Sequence, residues 1–311
     1  MPGIRLRTVA SHATAITHAW PRWAPLAVFA LALAVVTAAL CLLQGAIGPD
    51  PELIGLHRFA PAVAVGLLYV VFAGHHHGPS LATDRGLGWR TAAIALFTAA
   101  LGVAIVVTAM ASHEIITGGR VGVLAVAHPI PLLLAAQIIG ALGEETAWRA
   151  YLQPELEQWW HPLPAAIGVG LGWGIWQSLV LHPPLAHAAV MTVTAIALSV
   201  VLRATLQFTS GNYLLVATVF RTVIGFGLLL ALPTLDDDRV AQWSLGGAAV
   251  AVATVTWVVS IWRPSGPRTN DAVSTPPTGT AAGDWTTDWG WSGDATTTGP
   301  DPKSEQRPEA D

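Results

Sequence analysis

The sequence predicts an all-α, polytopic transmembrane helix bundle of about eight spans with both termini cytoplasmic, and three observations predict it. Hydrophobic residues make up 53% of the 311-residue chain and charged residues only 11%, whereas charged residues run near 25% in soluble domains. Eight apolar runs of roughly bilayer-spanning length follow one another. The arginines fall mainly in alternate connections, as the positive-inside rule requires of one side of a membrane.

Taken in order, residues 1–23 form a cytoplasmic N-terminal segment carrying Arg5, Arg7 and Arg22. The run at 24–48 is too long for the apolar part of a signal peptide and has no clear cleavage site after it, so it reads as a retained first span. The second run, 60–76, is short, and His75-His76-His77 at its end reads as an interfacial polar cap in preference to a metal tract. Further spans are expected at 91–112, 123–144, 163–181, 186–207, 213–233 and 242–262. With the N-terminus inside, Arg5, Arg7, Arg22, Arg85, Arg90, Arg149, Arg203, Arg263 and Arg268 are cytoplasmic, and Arg58, Arg120 and Arg239 are outside, with the acidic turn Asp236-Asp237-Asp238. Beyond Arg263 the chain is rich in Pro, Gly, Thr, Ser and Asp without apolar periodicity, which predicts a disordered cytoplasmic tail over 263–311. Residues 24–262 are then the bundle. Trp285, Trp289 and Trp291 within the tail read as solvated residues before they read as a docking motif.

Composition also excludes several function classes. One cysteine, Cys41, lies in an apolar run, so there is neither a disulfide framework nor a Cys-based metal site. The net charge of −4 resides largely in the tail, and the chain carries no phosphate loop, repeat period or nucleic-acid module, so nucleic acid is not an expected partner.

The chemistry concentrates in Gly143-Glu144-Glu145-Thr146-Ala147-Trp148-Arg149-Ala150-Tyr151-Leu152, at the expected cytoplasmic end of the fourth span. A charge at membrane depth costs at least ~2.5–3.5 kcal/mol, which makes such residues functional candidates. On a helix Glu145 and Arg149 are four apart and face each other, while Glu144 is turned about 100° toward Gly140 and Ala141. One carboxylate is then paired and the other left free, an arrangement that suits one acid that orients and another that acts as a base. The bland alternative is an ordinary helix end at the headgroup level.

Glu144-Glu145-Thr146-Ala147-Trp148-Arg149, continued by Ala150-Tyr151-Leu152-Gln153-Pro154-Glu155-Leu156, resembles the CAAX prenyl endopeptidase and bacteriocin-processing (CPBP or Abi) family of intramembrane metalloproteases, over roughly residues 125–232. The resemblance implies that Glu144 activates a water for attack on a peptide carbonyl, that Glu145 is its partner, and that Arg149 clamps Glu145. It further implies histidines on two later helices that hold the water or a zinc ion, with an Asn or His at the oxyanion. Here Trp173-Gly174-Ile175-Trp176-Gln177 keeps the aromatic and the spacing of the second motif but has Gln177 where the histidine belongs. In the third motif, after the Ser210-Gly211 turn, the histidine slot falls on Phe220 or Arg221. Glutamine can hold a water but is a poor zinc ligand. Arg221, deep in an apolar run, needs a carboxylate partner, for which Glu144 is the candidate; a cation there repels a metal. His182 reads as a helix-end residue, and His187 lies nearby in sequence.

Two function classes remain open at this stage. The resemblance implies an endopeptidase of the cell membrane that hydrolyses membrane-associated peptides or proteins through Glu144, Glu145, Arg149, Gln177 and Arg221. The alternative is a catalytically silent relative that uses the same cavity as a scaffold, binding or immunity protein. A small transporter using Glu144, Glu145 and Arg221 as a relay fits the charges but lacks an inverted repeat.

Overall fold

In the computed structural model, which describes residues 21–48, 50, 53–73, 88–119, 128–208, 212–231 and 238–262, the apolar runs are helices. They are α1 (Ala24–Ile47), a 3₁₀ turn (Leu56–Phe59) leading into α2 (Ala60–Val71), α3 (Trp89–Thr117), α4 (Ile130–Glu145), a π-helical turn (Thr146–Leu152), α5 (Gln153–Glu157), α6 (Pro162–Leu181), α7 (Leu185–Leu206), α8 (Tyr213–Ala231) and α9 (Arg239–Ile261). Among the described residues seven helical stretches are long and apolar enough to cross a membrane, with Ile130–Glu157 counted as one, and Leu56–Val71 is a shorter eighth. The chain is a multi-pass integral membrane protein with an all-α bundle.

The outward faces are those a bilayer solvates, with Leu31, Leu42, Leu96 and Ile115 all largely exposed. Exposed tryptophans sit at helix ends: Trp23 before α1, Trp89 at the start of α3, Trp159 and Trp160 after α5, and Trp262 after α9. That is where an amphipathic ring finds the headgroup region. Inside, α6 packs on α7, α7 on α9, α3 on α8 and α9, and α4 on α8. Gly170 and Gly174, one turn apart on α6, bring its backbone against that of α7; a Cβ on Gly174 would stand 2.6 Å from the Thr192 Cα. Small residues at this spacing are how apolar helices approach closely when no solvent drives them together.

Polar ties fix the helix ends. Asp238 caps α9 by accepting from the amides of Val240 (2.8 Å) and Ala241 (3.2 Å), and also accepts from His113 Nε2 at the end of α3 (2.7 Å). The bond from His113 holds the Asp238 carboxyl below the ordinary aspartate range. His128, before α4, bonds Asp50 after α1 at 2.7 Å, which places those two ends together.

Two expectations about the spans are corrected. The fourth helix begins at Ile130, not 123, and it does not stop at the glutamates but runs on to Glu157, so Glu144 lies midway along a 28-residue helical stretch. The polar cluster that ends the hydropathy run is buried inside the bundle, where its charges are paired and need no headgroup region. Arg58 is also not an outer-loop charge, because its side chain reaches this same mid-helix level. The His75–His77 tract, the Ser210-Gly211 turn, Asp236 and Asp237, residues 1–20 and the tail from Arg263 lie outside the described residues.

Candidate active site

The site is built on a local distortion of the fourth helix. Pro154 has no amide hydrogen and its ring crowds the carbonyl four residues back, so a regular α-helix cannot pass through Ala150 and Pro154 undisturbed. The turn from Thr146 to Leu152 widens into a π-helix, and such turns occur often at functional sites. Thr146 adds to the distortion by donating its hydroxyl to the Leu142 carbonyl at 2.7 Å. The widened turn is packed from outside by α1: the Phe29 ring meets Tyr151 at 5.2 Å and Trp148 at 6.2 Å.

Within this turn Glu145 and Arg149 form the expected ion pair, Arg149 Nε to Glu145 Oε2 at 3.3 Å, with both side chains only 1% exposed. Arg149 NH1 also donates to Ser199 Oγ on α7 (2.7 Å) and to Gln153 Oε1 (3.4 Å). Gln153 in turn donates to Glu157 (2.6 Å), which pairs with Arg203 of α7. One stripe of the fourth helix, at positions 145, 149, 153 and 157, is thereby a polar seam against α7. Arg149 NH2 is buried without a partner among the described residues.

Glu144 is not left free. Arg58 Nε donates to its Oε1 at 2.7 Å, and Arg221 NH2 and Nε donate to its Oε2 at 3.3 and 3.4 Å. The pairing of Arg221 with Glu144 was readable from the need of a buried cation for a carboxylate; Arg58, 86 residues upstream of Glu144, was not. Arg58 also donates NH1 to Gln137 Oε1 at 3.1 Å. A notch accepts it: a Cβ on Gly143 would stand 2.8 Å from the Arg58 carbonyl oxygen, and one on Gly140 would run into the Arg58 guanidinium. Phe59 packs beside Gly143, so α2 begins next to Glu144, midway along the fourth helical stretch. The positive end of the α2 dipole adds to the charge facing the carboxylate. The signal for this docking lay in Gly140 and Ala141, the small residues on the side of the helix to which Glu144 turns.

The two residues competing for the third motif separate cleanly. Phe220 is 1% exposed and belongs to the core, facing Gly102 of α3. Arg221, about 100° further round, points inward and lays its guanidinium carbon 4.7 Å from the centre of the Trp173 ring.

On the far side of Arg221 from Glu144 is a cavity of about 190 Å³ between α6, α7, α8 and α9. Gln177 and Arg221 both line it, with Trp173, His187, Thr194 and Gln242. Glu144 is not among the residues that line it; Arg221, which bonds Glu144, stands between. His187, buried on α7, is on the wall, whereas His182 caps the end of α6 in a left-handed conformation (φ 50°) and is exposed.

The donor set does not fit zinc. Such an ion takes three or four thiolate, imidazole or carboxylate ligands. Both core carboxylates are already held by guanidinium groups, and among the described residues no three His, Cys, Asp or Glu side chains gather. Residues 126–262 match the family model described as type II CAAX prenyl endopeptidase Rce1-like. No curated protein matches the chain.

Proposed function

We propose, because residues 126–262 match the type II CAAX prenyl endopeptidase Rce1-like family model, that this membrane protein is an intramembrane endopeptidase that hydrolyses membrane-associated peptide or protein substrates through its own side chains. The observation that carries the reading is the long contact of Arg221 with Glu144. Arg58 holds Glu144 at 2.7 Å, within the usual range of charge-assisted bonds, whereas Arg221, at 3.3 Å, also lines the cavity and so can be drawn to a bound peptide. Arg221 turns from Glu144 Oε2 to the carbonyl oxygen of a peptide in the cavity. Oε2 then accepts a proton from a water that attacks the carbonyl carbon, the guanidinium stabilises the oxyanion, and Glu144 returns the proton to the leaving amine. Gln177 holds the water or the peptide by its amide. Glu145, clamped by Arg149, fixes the π turn.

The test is cleavage of a peptide library by protein in nanodiscs, read by mass spectrometry. Glu144→Gln, which keeps an acceptor for Arg58, is expected to abolish product, and Arg221→Gln to lower kcat by ~10²–10³, the usual effect of losing one oxyanion donor. Cleavage that survives Glu144→Gln would end the proposal. The position of Glu144 behind Arg221 favours a second reading, a silent membrane scaffold or immunity protein, and peptide binding without cleavage by the wild type selects it.

We also infer a cell-membrane location with both termini cytoplasmic, the bundle occupying residues 24–262 and a separate tail following it. Setting aside Arg58, Arg149 and Arg203, whose charges are spent on Glu144, Glu145 and Glu157, the remaining arginines still favour that side by Arg5, Arg7, Arg22, Arg85, Arg90, Arg263 and Arg268 over Arg120 and Arg239. Reporter fusions at residue 265 should be active only in their cytoplasmic form; an exported tail overturns the topology.

A further inference from the structure

The buried cluster does not balance its charge. Arg58, Arg149 and Arg221 meet only Glu144 and Glu145, and the Glu157–Arg203 pair beyond them is neutral, so one positive charge is left over inside the bundle. A surplus cation at this depth is costly unless an anion accompanies it. The geometry shows where that anion belongs. Arg58 turns to Glu144 and Gln137, whereas Arg221 spends Nε and NH2 on Glu144 and leaves NH1 without a partner among the described residues. Its side chain is 14% exposed, and it lines the cavity.

Other groups on the same wall are also unsatisfied. Trp173 is 97% buried (3% exposed) and its Nε1 has no acceptor among the described residues; indole nitrogen can only donate. Neither the Gln177 amide nor the His187 ring forms a hydrogen bond with any described residue, although both line the cavity. These donors and the surplus guanidinium share the cavity wall with Leu181, Val190, Leu228 and Leu245. The cavity lies toward the ends where α6 and α8 finish and α7 and α9 begin.

We propose that this cavity is a binding site for an aliphatic monocarboxylate, a fatty acid, whose carboxylate takes Arg221 NH1 and the Trp173 indole N–H and whose chain follows the leucine-lined wall. The cavity, of about 190 Å³, admits a carboxylate and the first part of one aliphatic chain. A single charge matches the surplus of one, and a dianion would reverse it.

The experiment is titration of the full chain in nanodiscs of neutral lipid with octanoate, octan-1-ol and octylamine, followed by calorimetry. The wild type is expected to bind octanoate about tenfold or more tighter than octan-1-ol, the usual worth of a hydrogen bond to a charged group, and not to bind octylamine. Arg221→Gln removes the surplus while leaving Glu144 its Arg58 partner, so it should fold and bring the two affinities within about twofold. Leu228→Trp, which fills the wall two turns along α8 from Arg221, should abolish binding of both. Equal affinities in the wild type overturn the proposal, as does a preference for octanoate that survives Arg221→Gln. A free-carboxylate apolar tripeptide is the further arm: binding of that peptide and not of octanoate also overturns it. Because the readout is binding, its failure leaves the hydrolytic reading untouched, and failure of hydrolysis leaves the carboxylate site standing.

Discussion

Arg149→Ala is expected to lower the unfolding free energy of the detergent-solubilised protein by about 3–5 kcal/mol, the cost of removing one member of a buried ion pair. The size follows from what remains. Glu145 would stay at 1% exposure without its hydrogen-bonded cation, Ser199 would lose its contact at 2.7 Å, and Gln153 would lose its tie to the turn. A π turn is a rare interruption of an α-helix, so its shape rests on these side chains and on the Phe29, Trp148 and Tyr151 rings. The companion variant separates charge from shape. Replacing Glu145 and Arg149 together by methionine leaves no unpaired charge, and such exchanges of a whole pair are often neutral or better, so most of the loss should return. Denaturant unfolding measures both. A loss below ~1 kcal/mol for Arg149→Ala would show that the pair does not hold the turn.

The fold was legible because a bilayer imposes a simple rule: every backbone group must be satisfied within a helix, so apolar runs of sufficient length become helices. The first run predicted a helix over 24–48 and α1 is Ala24–Ile47; the sixth predicted 186–207 and α7 is Leu185–Leu206. The rule failed where polarity did not mean exposure. Hydropathy falls at Gly143-Glu144-Glu145, but the helix continues for twelve residues because Arg58, Arg149 and Arg221 neutralise the carboxylates in place.

The same distinction divides the site. Glu145 and Arg149 were readable because both lie on one helix, and spacing alone sets their separation. Phe220 and Arg221 could not be told apart by alignment of a motif, since one residue is a rotation of about 100° and only packing of Phe220 against α3 settles which of them turns inward. Arg58 was hidden by the rule that served the topology, because an arginine between two apolar runs is counted as a loop charge. What it lacked was a partner in sequence, and the glycines that admit it are 82 and 85 positions away.

Those glycines set the second large effect. Gly143→Ala is expected to detach the start of α2 from α4 and, with it, to remove the firm hold of Arg58 on Glu144. The added Cβ would stand 2.8 Å from the Arg58 carbonyl oxygen and 3.3 Å from Phe59 Cδ1. The first contact is with backbone, which a rotamer change cannot relieve, so the helix start must move. Overpacking of this kind costs about 1–3 kcal/mol, to which loss of the 2.7 Å bond to a buried carboxylate adds about 1.5–3 kcal/mol. Gly140→Ala is the informative neighbour. The atoms nearest its Cβ belong to the Arg58 guanidinium, which can swing away, so the backbone should keep its place while Glu144 loses its anchor. Hydrolysis should then fall nearly as far as in Gly143→Ala with a smaller fall in melting temperature. Gly66→Ala supplies the reference, since a Cβ there meets nothing within 4 Å on α2, and alanine in an open helix position stabilises by about 0.5–1 kcal/mol. Melting temperature and peptide cleavage, measured on all three variants, decide the matter: if Gly143→Ala behaves like Gly66→Ala, α2 does not dock on α4 and Arg58 does not hold Glu144.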